Sequence, residues 1–183
     1  MEAKIVEGIM FKSIVIAYDG SAHAARALET AACLAREMRA SLGIICVVDP
    51  GHVNLPSELQ RMSESEHLID PKPRLRADLN RAPGNLASEI ARSAAEAQQA
   101  TLQFAEFLVK DAARQAQDEG VASVDTATQT GEPASTIVEY AADRDADLIV
   151  CGSRGLGRVR ELLLGSTSHK IAQLAHCSCL TVR

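Results

Sequence analysis

The chain has 183 residues, a formal net charge of −5, no tryptophan, and 46% hydrophobic against 3% aromatic residues. That length fits one domain with an aliphatic core. The acidic balance and the scarcity of rings exclude nucleic acid and anionic membrane as global partners. No apolar run nears the ~20 residues that cross a bilayer.

Residues 1–10 read as a tail ahead of the first strand. Residues 1–12 hold two acids and no unbroken apolar run, so no signal peptide is expected and the chain is expected in the cytoplasm. Ile14, Val15 and Ile16 lie in a β-branched run over 13–18, the mark of a buried strand. Asp19-Gly20-Ser21 supplies the turn and a helix cap. Ala24, Leu28, Ala31, Leu34, Ala35 and Met38 then fall on one face of a helix over 22–39.

Residues 42–48 are apolar throughout and predict a second buried strand. Five of the six prolines follow, at positions 50, 56, 71, 73 and 83. A variable, proline-rich excursion is therefore expected over 50–85. Helical spacing resumes near Asn85 and runs to Gly120, a C-cap residue. So long a helix would overhang a small domain, and a break within it is expected. Residues 121–128 alternate and hold Val and Thr, as an edge-like third strand would. Pro133 opens a short helix, 148–151 form a fourth strand, 166–175 a last helix and 179–182 a final strand.

Strands separated by helices define an α/β fold. The expectation is a single-domain, doubly wound, five-stranded parallel sheet with helices on both faces. Such sheets bind ligands beyond the C-terminal ends of the strands, where strand order reverses. The loops at Asp19 and from Gly152 onward are the two that matter. The second has Gly152, Gly155 and Gly157, then Arg154, Arg158 and Arg160 with no acid before Glu161, and Gly165-Ser166-Thr167 at a helix start. Glycines admit a close ligand, and a helix N-terminus with hydroxyls cradles an anion. A Walker loop is absent, since no Lys follows a glycine at its spacing. A dinucleotide fingerprint fails at Arg160, where Gly or Ala is required.

Gly152, Gly155, Gly165 and Ser166 do fit Gly-x2-Gly-x9-Gly-Ser/Thr, the nucleotide signature of the universal stress proteins. The opening strand with Asp19-Gly20-Ser21, the Gly131-Glu132-Pro133 triplet, the run from Ala146 to Gly155 and the closing Leu180-Thr181-Val182-Arg183 also resemble that family. Ser178-Cys179-Leu180-Thr181 departs from its usual Pro-Val-Leu-Val. The resemblance covers 11–49 and 100–183, within a universal stress protein domain over 11–183. It implies the adenine-nucleotide α-hydrolase-like form of the fold, an ATP-binding stress-response module, and a homodimer paired through the final strand. By position, it implies that Ala17 and Asp19 border the nucleotide and that Val47 packs near adenine. Gly152, Ser153, Arg154, Gly155, Gly157 and Arg158 would wrap ribose and phosphates. Ser166, Thr167 and Ser168 would bind phosphate, with Mg²⁺ reaching Asp19 through the nucleotide.

No catalytic residue stands out. His169 has no nameable partner and reads as a surface histidine. The five cysteines read as free thiols, because Cys177-Ser178-Cys179 lacks a second ligand pair. Any hydrolysis should be slow. The alternatives are an adenylating or sulfur-transferring enzyme, whose Ser-Gly-Gly-x-Asp-Ser loop is missing at 18–22, and a nucleotide-free interaction module, which the intact glycines oppose.

Overall fold

The computed structural model describes residues 11–49, 84–155 and 165–183. The predicted tail at 1–10, the excursion up to residue 83, and Gly157, Arg158 and Arg160 lie outside the described residues. By internal contacts the chain divides into one unit of Met1–Asp49 with Ala105–Arg183, and another of Pro50–Phe104.

The first unit holds β1 (Ser13–Ala17), α1 (Ala22–Met38), β2 (Ser41–Val48), β3 (Val124–Thr130), α3 (Pro133–Asp143), β4 (Leu148–Gly152), α4 (Ser166–Leu174) and β5 (Ser178–Val182). It also holds the last turns of α2 (Gly84–Asp118), whose earlier turns belong to the second unit. All five strands are parallel, in the order β3-β2-β1-β4-β5. The chain steps outward from β1 to β3, returns to the other side at β4, and ends at β5. Strand order therefore reverses between β1 and β4, which is the switch point of this sheet.

Alternation along the strands builds a core on each face. Val15, Ile45, Ile149 and Cys151 pack with Ala134, Ile137, Val138 and Ala141 of α3 and Ile171 of α4. Ile14, Ile16, Leu42, Ile44 and Val150 point the other way and are fully buried. On α1, Ala24, Ala27, Leu28, Ala31, Ala32 and Ala35 are buried. Small alanines let the helix sit close to an aliphatic sheet.

Two expectations are corrected. Helix α2 is one continuous run of 35 residues, not a broken one. No Gly or Pro falls between Asn85 and Asp118, so nothing interrupts its hydrogen-bond ladder. The pairs Arg92–Glu96 and Lys110–Glu106, at i,i+4 spacing, add local support. The third strand begins at Val124 and not at residue 121. Val121 is buried and its N–H bonds to Ala116 O, so it closes α2 behind Gly120, which holds the left-handed φ of 95°. Elsewhere, boundaries differ by a residue or so, as at Arg39, which caps α1 from outside.

Candidate nucleotide site

Two loops meet at the switch point. Tyr18 N–H donates to Ile45 O (2.8 Å), carrying β1 one residue past its end. Asp19 then accepts the Ser21 N–H on Oδ1 (3.0 Å), and Gly20 turns the chain with φ 76°. Ser21 caps α1, its Oγ accepting from Ala24 N (3.1 Å), a contact worth about 1 kcal/mol. The same hydroxyl donates to Arg154 O at 3.4 Å. One serine thus ties the β1 loop to the β4 loop.

The β4 loop is pinned from the opposite side. Ser153 is buried, its N–H donates to Val182 O (2.6 Å), and its carbonyl accepts from Gly165 N (2.7 Å). Ser168 Oγ is buried and lies 3.4 Å from Ser153 O and 3.2 Å from Gly165 O, within reach of either carbonyl for its single proton. These bonds place the start of α4 against Ser153 and Arg154. Gly155 is exposed and faces Asp19: a Cβ there would stand 2.5 Å from Asp19 Oδ2.

Helix α4 differs from α1 and α3 at its N-terminus. Ser21 caps α1 and Glu132 caps α3, but α4 starts at Gly165, which has no side chain to cap it, and no other described residue does so. Its ladder opens with His169 N–H to Gly165 O (3.0 Å). The N–H groups of Ser166, Thr167 and Ser168 come before that bond, and the helix dipole adds positive potential there. The arrangement can hold an anion through backbone donors, with Arg154 beside it.

The expected residues divide by environment. Ala17, Asp19, Gly152, Ser153, Arg154, Gly155, Gly165, Ser166, Thr167 and Ser168 all lie at the C-terminal end of β1 and β4 or at the start of α4. Ser166 and Gly155 are exposed, while the Ser168 hydroxyl is committed to holding the loop. Val47 stands on β2 beside Gln129 of β3, partly buried against the α3 core. Glu132 was not singled out for the site. Its Oε2 accepts from Ser135 N and Oγ (2.9 Å each), and its Oε1 receives Lys170 Nζ of α4 at 3.0 Å. These bonds, that from the Ser135 backbone first, pull its carboxyl down to about 2, so it is charged at neutral pH. An exposed pair of this kind contributes about 0–1 kcal/mol to stability. Lys170 shared the face of Ser166 in the sequence, four residues on, and that spacing was the available signal.

Among the described residues, burial shifts the thiols near the site and Tyr18 away from their nucleophilic anions. Burial, helped by Asp19, pushes the Cys46 thiol up to about 11. Burial also raises Tyr18, aided by Asp111, Asp19 and Cys46. Cys151, Cys177 and Cys179 are raised by burial first. No cysteine among the described residues is in a disulfide, and Cys33 is exposed. No group of three or more His, Cys, Asp or Glu could hold a metal among the described residues. No helix there is long and apolar enough to cross a membrane.

Fold and candidate site together define a doubly wound α/β domain in which Gly165, with no side-chain cap of its own, starts α4 at the switch point. The model of the universal stress protein family matches residues 10–183, and the chain belongs to that family. It is 32% identical over 174 residues to universal stress protein YxiE of Bacillus subtilis (strain 168), covering 95% of this chain and all of that one. A universal stress protein solved in complex with cAMP aligns at 20% identity and a TM-score of 0.58, covering 96% of this chain and 98% of that one. One from Archaeoglobus fulgidus in complex with dAMP aligns at 18% and 0.54, covering 96% and 100%. At those identities the likeness is one of fold.

Proposed function

We propose that the chain binds ATP at the β1/β4 switch point and acts as a regulatory, stress-response module in the cytoplasm. The observation that carries this is the N-terminus of α4, left without a side-chain cap and held against a glycine loop that faces Asp19. Family membership, and relatives of the same fold named as complexes with cAMP and dAMP, support an adenine nucleotide. In this reading Ala17 and Asp19 border the ligand and Val47 lies toward adenine. Gly152, Ser153, Arg154, Gly155, Gly157 and Arg158 follow the ribose and phosphates. Ser166, Thr167 and Ser168 offer N–H groups, and the Ser166 and Thr167 hydroxyls add to them. Asp19 keeps Oδ2 outside its bond to Ser21, which suits an Mg²⁺ that arrives with the phosphates.

In this reading the site binds and turns ATP over slowly; burial holds the Cys46 thiol up at about 11, away from the nucleophilic thiolate. Steady-state ATP turnover is expected well below ~1 s⁻¹, the lower end of ordinary enzymes. A release assay giving multiple turnovers at or above that rate would make the chain an ATPase and overturn the regulatory reading.

Strand β5 lies at the sheet edge with β4 as its neighbour. An open edge is a template for another strand. In our reading two chains pair through Ser178–Val182, so sedimentation should give twice the chain mass of 19.5 kDa. A monomer at high concentration would remove the dimer from the account.

A further inference from the structure

All strands are parallel, so α3 after β3 and α4 after β4 both start at the end of the sheet that carries the site. The bond between Lys170 Nζ and Glu132 Oε1 (3.0 Å) joins those two starts. Lys170 lies four residues after Ser166, about 6 Å along the axis and about 40° around it, so the two share a face. Helical side chains lean toward the N-terminus, which brings the ammonium back toward the uncapped turn. Both partners are about half exposed, at 54% for Lys170 and 49% for Glu132, so water and solutes reach the pair.

Glu132 is also suited to giving the lysine up. Its other oxygen is held by the N–H and hydroxyl of Ser135, and α3 stays capped whether or not Lys170 is present. An ammonium has three donors on a flexible stem and moves between acceptors easily. A carboxylate at the neighbouring helix start is therefore a resting place for a mobile cation. Its negative charge also weighs against an anion that comes close.

Resting on the nucleotide reading above, we propose that Lys170 is the ligand of the distal phosphates, held by Glu132 until a polyphosphate chain draws it across. The site then distinguishes nucleotides by phosphate number: AMP is held without Lys170, and ATP with it. The ligand class favoured is the nucleoside triphosphate. Occupancy frees one oxygen of Glu132 at the head of α3, so the pair reports what is bound.

The test is calorimetric titration of the full chain with AMP, ADP and ATP. Lys170→Met should weaken ATP about tenfold and AMP less than about twofold, a selective loss that follows from removing one charge contact. Glu132→Gln, which leaves Lys170 unpaired, should tighten ATP about threefold with AMP unchanged. Lys170→Arg should retain the preference, since it keeps the charge. Equal effects on AMP and ATP, or no effect in either variant, would show a merely structural pair and overturn the proposal. A wild-type chain that binds AMP and ATP while both variants keep their ratio sinks the pair alone. A wild-type chain that binds neither sinks the site as well.

Discussion

Gly152→Ala is expected to cost about 3 kcal/mol of stability, the upper part of the range for an overpacked position. A Cβ on Gly152 would stand 2.8 Å from His23 C, 2.9 Å from His23 Cβ and 3.0 Å from Ala24 N. Two of those atoms are backbone in the first turn of α1, which its Ser21 cap and buried alanines fix in place. Neither can yield without moving the helix off the sheet. For a chain of this size the melting temperature should fall by about 6–12 °C. Gly155→Ala makes the contrast. Among the described residues its Cβ would meet only the Asp19 carboxylate, the far end of a side chain, and the fold should keep its melting temperature within about 2 °C. ATP affinity should drop about tenfold or more, because the new methyl displaces Asp19 and fills the gap between the loops. Thermal melts of both variants read the difference. Equal destabilisation by the two would refute this division of labour.

Gly165→Val is expected to leave the fold in place and remove most ATP binding. Gly165 has φ −69° and ψ 158°, an extended conformation that valine adopts readily. A Cβ there meets Ser153 O and Ser168 Oγ at 3.4 Å, ordinary contact distances. The branched methyls would cover the N–H groups of α4 and crowd the Ser168 hydroxyl. Hydrogen bonds to a charged group are worth about 1.5–3 kcal/mol each. Losing one or two of them weakens ATP by about tenfold or more. Adenosine, which has no phosphate, should change far less. Calorimetry with both ligands separates the outcomes, and equal loss for adenosine would place the anion elsewhere.

The sheet was legible because its inner strands are short β-branched runs with nothing to contradict them. Ser13–Ala17, Ser41–Val48 and Leu148–Gly152 need no distant partner to be recognised. The loops proposed to hold the ligand are legible by position for a similar reason: Asp19, Gly152 and Gly165 sit at fixed offsets from strand ends and a helix start. What escaped depends on contacts between distant residues. Ser153 is held by Val182 O, and Ser21 reaches Arg154 O across the loops. No local pattern announces either bond. Helix α2 runs unbroken because no Gly or Pro between Asn85 and Asp118 interrupts the ladder, and length alone does not break a helix. Strand β3 was placed early because Val121 looks like a strand residue. It serves instead as the buried residue that closes α2. Glu132 lies inside a turn triplet with a proline, and its second oxygen meets Lys170 only in the folded chain.

The most direct test of the nucleotide site is a competition read by mass spectrometry. The purified chain is incubated with ATP, GTP, CTP and UTP together, freed of unbound ligand, and unfolded. The released nucleotides are then identified. The account predicts adenine nucleotide from the wild-type chain and its loss from Gly165→Val. No retained nucleotide, or four bases released alike from both proteins, would contradict it.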